Sequence, residues 1–92
     1  MNSFGEYLRN KREQLGLPLR KVAAELDIDT SILSKIERNE RVATKEMLPA
    51  LSKSLEIPIK EMQVEFIQST ILSELGTLEF LSDGLKTILK KI

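Results

Sequence analysis

The 92-residue chain contains no cysteine and no histidine. Without thiols there are no disulfides and no thiolate chemistry, and without imidazoles the common zinc sites and the Ser-His-Asp and Cys-His types of catalysis are excluded. No glycine-rich phosphate loop is present, and no constellation of carboxylates or lysines points to a reaction. The chain is therefore expected not to be an enzyme and to need no metal and no cofactor. Long apolar runs are missing as well. No stretch approaches the length that spans a bilayer, and the amino end, MNSFGEYLRNKR, lacks the continuous apolar core of a secretion signal. A cytoplasmic location with no membrane partner is the expectation. Net charge is also absent, with 14 basic residues against 14 acidic. Their distribution is uneven: Met1 to Lys60 carries 11 basic and 9 acidic residues, Glu61 to Ile92 carries 3 and 5. Attraction to a polyanion has to come from a local face, with modest non-specific affinity.

What the chain does contain is a series of short helical patterns, the simplest way for a chain of this length to bury apolar surface in one small domain with an appendage. Ser3-Phe4-Gly5-Glu6 reads as a capping box, with Ser3 as cap and Glu6 reaching back to its backbone. Phe4, Leu8 and Leu15 follow on one face, and Gly16 marks the stop by its tolerance of the left-handed conformation. Pro18 opens a second helix, where its missing N–H costs nothing. Val22, Ala23 and Leu26, then Ile32, Leu33 and Ile36, recur at helical spacing on either side of a hinge at Leu26-Asp27-Ile28. Asp29 stands where the later helix needs a cap, and Ile28 with Leu33 forms a hydrophobic staple.

Farther on, Thr44 is a cap for a fourth helix with Met47, Leu48, Leu51 and Leu55 on its apolar face. Pro49 lies about one turn inside it and is expected to bend the helix or loosen its first turn. After Ile57-Pro58-Ile59 the pattern Ile59, Met62, Phe66 or Ile67, Ile71, Leu75 runs up to Gly76. A last helix, capped by Thr77, repeats Leu78, Leu81, Leu85, Ile88 and Ile92 in heptad fashion. No internal repeat or low-complexity segment interrupts the chain.

Four features in register carry a resemblance. Ala23 is a small residue in the first helix, Leu26-Asp27-Ile28 a tight turn, Asp29-Thr30-Ser31 a polar helix start, and Ser34-Lys35-Ile36-Glu37 has the form Ser-x-x-Glu. The stretch resembles the helix-turn-helix of the lambda-repressor-like (XRE) family, and the likeness extends from Phe4 to Met62. It implies an all-α, five-helix DNA-binding domain over residues 1–62 and a helical extension for dimerisation over residues 63–92. The family commonly has glutamine touching the DNA backbone where Leu19 stands, a departure that leaves this contact unsupported, although the amides of the second helix can still face a phosphate. Asp27 and Asn39 replace family glycines, and both residue types visit the left-handed region at limited cost.

The resemblance also assigns roles. Residues 30–38 become the recognition helix in the major groove, with Thr30, Ser31, Ser34 and Lys35 at base edges, short hydroxyls approaching closely and Lys35 able to donate to guanine O6 or N7. Arg38, Asn39, Arg41 and Lys45 lie along the phosphate backbone, with Arg20 and Lys21 as partners on the other side, supplying position rather than sequence information. Arg12 and Glu37 form a structural ion pair under the DNA-binding surface. In the extension, Ile67, Ile71, Leu75, Leu78, Leu81, Leu85 and Ile88 are too many large apolar side chains to stay single in water, and a two-fold homodimer buries the same stripe on both chains. Such a dimer sets two recognition helices about one DNA turn apart, matching a palindromic operator of ~10 bp spacing. The carboxylates Glu74, Glu79 and Asp83 suit the wet side of paired helices rather than a metal site.

The expected protein is thus a sequence-specific transcription regulator whose occupancy of an operator blocks RNA polymerase or recruits it. Small stand-alone members of the family include restriction-modification controllers, phage-type repressors and antitoxins, and the length and helical tail suit a controller or repressor. The rival expectation is an antitoxin-like helical protein-interaction module whose tail binds a different protein.

Overall fold

The structure, a computed structural model, describes residues 3–92. Its elements are α1 (Phe4–Gln14), α2 (Leu19–Glu25), α3 (Thr30–Glu37), a 3-10 turn (Lys45–Met47), α4 (Leu48–Ser54), α5 (Ile59–Leu75) and α6 (Leu81–Lys91), with no strand among the described residues. The all-α class and the five-helix arrangement followed by a helical extension are what the chain adopts. Leu8 of α1, Val22 and Ala23 of α2, Leu33 and Ile36 of α3, Leu48 and Leu51 of α4, and Met62 of α5 form one buried cluster. Each sits at the helical spacing that brings one stripe of its helix inward.

α1 starts where Ser3 accepts a hydrogen bond from the Glu6 N–H at 3.1 Å, the first half of the expected capping box. Pro49 loosens the start of the fourth helix as expected: the segment from Thr44 begins as a 3-10 turn, and the α-helix proper starts only at Leu48. This places the proline in the first α-helical turn, where its absent N–H has no partner to lose. Thr44 and Asp29 both occupy cap positions, but neither side chain makes a cap hydrogen bond.

Four helices end in the same way. Gly16, Asp27, Asn39 and Glu56 have φ of 68°, 56°, 63° and 54°. In each case the next residue turns its N–H back to a carbonyl five residues earlier: Leu17 to Arg12, Ile28 to Ala23, Glu40 to Lys35 and Ile57 to Ser52, at 2.8–3.1 Å. These are Schellman caps, which satisfy the orphan carbonyls of a helix end and reverse the chain sharply. Glu56 was not foreseen. Its signal is the parallel between Leu15-Gly16-Leu17-Pro18, Leu26-Asp27-Ile28-Asp29 and Leu55-Glu56-Ile57-Pro58, in which the aliphatic after the left-handed residue packs against the core.

α5 joins two environments. Met62 is fully buried, and Phe66 packs edge-on against Phe4 at 5.4 Å between ring centroids. The Tyr7 hydroxyl donates to the Glu61 carboxylate, and burial, reinforced by that bond, pushes its ionisation above the usual phenol range. Of the alternatives Phe66 and Ile67, it is therefore Phe66 that faces inward, and Ile67 is exposed. By helical spacing Val64, Ile67, Ile71 and Leu75 fall on the opposite face. The helix is apolar on two sides, and its body crosses the expected boundary at Met62 without a break.

The extension differs from expectation at its second helix. α6 begins at Leu81, not at Thr77. Gly76 keeps a right-handed φ of −61°, and successive turn bonds from Leu78 to Leu75 and from Leu81 to Leu78 use up the intervening residues, leaving Phe80 at the cap position. α6 makes no more than marginal backbone contact with any other element. The radius of gyration is 14.4 Å, against about 12 Å for a compact chain of this length, which is the mark of a projecting tail.

Candidate nucleic-acid interface

α3 is two-edged. Leu33 and Ile36 are buried, as is the Glu37 side chain, while Thr30, Ser31 and Lys35 on the other side are exposed and Ser34 is half-buried. The α-helix ends at Glu37, one residue short of the expected 30–38, with Arg38 as C-cap. Arg38, Asn39, Arg41 and Lys45 are all exposed along the loop that follows, and Arg20 and Lys21 are exposed in the first turn of α2. One continuous segment, 30–45, therefore presents three hydroxyl groups, Lys35 and most of the cationic candidates on consecutive turns.

What holds that segment is below it. Arg12 Nε and Nη2 donate to the two Glu37 carboxylate oxygens at 2.7 and 2.9 Å, and Nη1 donates to the Leu17 carbonyl at 2.8 Å. The bidentate pair is nearly out of water, with side-chain exposures of 14% and 5%. The bond to Glu37 raises the ionisation of the Arg12 guanidinium, outweighing the opposing effect of burial. A guanidinium fork gripping a carboxylate in a defined plane ties α1, the α1–α2 turn and the end of α3 into one rigid unit.

Gly5 contributes a second tie that the sequence reading did not single out beyond the capping box. A Cβ built there would stand 2.1 Å from the Ile36 carbonyl oxygen and 2.9 Å from that of Glu37. The first turn of α1 thus rests directly on the terminal carbonyls of α3, positive helix end on negative end. The available signal was a glycine inside a helical turn, a residue that weakens the helix and is retained there when backbones must touch.

With this geometry in place, the comparison with known families is decisive for class. A helix-turn-helix family model matches residues 8–62. The chain belongs to the lambda-repressor-like (XRE-type) helix-turn-helix family. No curated protein and no solved structure matches it. The family is one of DNA-binding regulators, and this member is a DNA-binding regulator of double-stranded DNA in that general sense. The matched segment begins and ends on two buried core residues, Leu8 and Met62. Among the described residues no group of three or more acidic side chains is placed to hold a metal, and no helix is long and apolar enough to cross a membrane.

Proposed function

We propose that the protein is a homodimeric, sequence-specific regulator that lays α3 into the major groove of each half of a palindromic operator. The observation that carries this reading is the split of α3 into a buried edge fastened by Arg12–Glu37 and an exposed edge of Thr30, Ser31 and Lys35. Thr30 and Ser31 at the helix start, with Lys35 one turn later and half-buried Ser34 beside it, are the base-reading set. Arg20, Lys21, Arg38, Asn39, Arg41 and Lys45 set the position on the phosphates. Residues 1–62 act as the reading head and 63–92 as the dimerising extension.

The dimer reading is supported by the uncovered apolar surface of the tail. Ile71 and Leu75 on α5 and Leu78, Leu81, Leu85 and Ile88 around α6 line one apolar groove of about 420 Å³, with Glu79 as its one charged wall residue. Ile67 is exposed beside it. A monomer that left this surface in water would be prone to associate, and closing two such α5–α6 grooves on each other by a two-fold axis gives a four-helix unit. Occupancy of the operator then blocks or recruits RNA polymerase according to where it lies.

The test is selection of bound fragments from random DNA with the purified chain, together with light scattering at micromolar concentration. Enrichment of an inverted repeat with half-sites about 10 bp apart and a dimer mass are expected. A monomer overturns the dimer reading in favour of a tail packed back on its own domain, and a chain that aggregates until a different protein is co-expressed with it overturns it in favour of an antitoxin-like interaction module.

A further inference from the structure

Three of the four Schellman caps end on an aliphatic side chain packed against the core: Leu17, Ile28 and Ile57. The fourth, after α3, ends on Glu40, which is exposed. The backbone device is the same, with the Glu40 N–H bonded to the Lys35 carbonyl at 2.8 Å and Asn39 left-handed. Only the side chain is exchanged, and it is exchanged for an acid between Asn39 and Arg41, in the row of residues placed against phosphates. A surface facing a polyanion gains nothing from a carboxylate unless that carboxylate has a task there.

Its partner shows what the task is. Glu40 Oε2 lies 3.2 Å from Arg38 Nη1, and Arg38 Nε donates to the Ser34 carbonyl at 3.3 Å. Arg38, the cation at the very end of the recognition helix, is therefore folded back on its own helix end and held by two acceptors, both at the exposed edge. We propose that Glu40 is a built-in rival of the DNA phosphate for Arg38, an affinity-setting residue that keeps the guanidinium on the protein until a well-placed phosphate displaces it. The inference rests on the placement of Arg38 in the phosphate row. Its consequence falls on both kinds of complex alike: the cost of freeing Arg38 lowers affinity for arbitrary DNA and for the operator by the same factor, and base contacts keep the operator complex the tighter of the two.

Exposed ion pairs are weak, so the effect is a modest factor and not a switch. The experiment compares wild type, Glu40→Gln, Arg38→Ala and the double variant in binding to a random-sequence duplex and to the selected operator, across a KCl series read by fluorescence anisotropy. Glu40→Gln is expected to bind the random duplex about three- to fivefold more tightly at low salt, with a log–log salt slope steeper by about one. In the Arg38→Ala background the same change should give no more than about a twofold gain, because the contest it relieves no longer exists. An unchanged or weaker Glu40→Gln, or an equal gain with and without Arg38, overturns the proposal. Wild-type protein that binds neither duplex overturns the phosphate-row reading itself, so the two failures are distinct. Both residues are exposed, and unchanged thermal melts confirm that folding is not what is measured.

Discussion

Leu51 in α4 and Leu89 in α6 are the same side chain on the same kind of element, yet the first is 1% exposed and the second 69%. The head and the tail differ in this way throughout. Both are helical, and both carry apolar residues every three or four positions. In the head, four sharp reversals at Gly16, Asp27, Asn39 and Glu56 fold short helices across one another, so each stripe meets another. In the tail there is one turn between α5 and α6 and no third helix to close over them. A helix forms from local pattern, but burial needs a second surface, and in the proposed dimer the tail finds it on a second copy of the chain.

Matched substitutions turn this difference into numbers. Leu51→Ala should cost the head about 3 kcal/mol in a urea titration. The counterpart in the tail, Ile88→Ala, should leave the head's unfolding nearly unchanged while light scattering shows the dimer dissociating. If Ile88→Ala instead destabilises the head as Leu51→Ala does, the tail folds back on its own domain. Glu37→Ala strands the nearly buried Arg12 and should cost about 3 kcal/mol, lowering the melting temperature and DNA affinity together. A Glu37→Ala protein as stable as wild type would mean that the pair does not fasten α3.

The glycines give a comparison of opposite sign. Gly5→Ala drives a methyl group into the Ile36 carbonyl and should destabilise by about 1–3 kcal/mol. Gly84→Ala in α6 meets nothing within 4 Å in its own chain and should raise helicity, worth up to about 1 kcal/mol in the dissociated chain, since Gly84 also lines the groove placed at the dimer seam. A circular-dichroism melt of the two variants that gave the same sign would deny that the head is close-packed and the tail open. Among the lysines, Lys35→Ala should weaken operator binding by ~1–3 kcal/mol with little loss on random DNA, whereas Lys90→Ala in the tail should alter neither. A smaller change than that of Lys35→Ala is expected from Arg41→Ala: a salt dependence flatter by about one phosphate, with sequence preference retained. An unchanged slope removes Arg41 from the phosphate row.

Much of the head was readable residue by residue. Ser3 as cap and the inward stripe of Leu33 and Ile36 follow from interactions that span at most one helical turn, Pro18 stands at the extended cap position just before α2 rather than inside it, and the left-handed turns at Asp27 and Asn39 came with the family resemblance. Glu56 escaped because glutamate advertises no turn, although its neighbours repeat the pattern around Gly16. Thr77 misled for the complementary reason: a good cap residue is necessary and not sufficient, and the chain spent three more residues turning before α6 began. The choice between Phe66 and Ile67 turned on Phe4, more than sixty positions away. No periodicity within α5 contains that information.

From sequence alone came the helices, the stops at Gly16 and Gly76, the family motif and the candidate edge of α3, because hydrogen bonding within a turn and apolar spacing are local properties of the chain. Tertiary structure alone decided that Gly5 must lack a side chain, that Phe66 and not Ile67 faces inward and that Glu40 holds Arg38. Those facts depend on where separate helices meet or where a reversed chain brings two charges together, and such distances are set by packing in three dimensions.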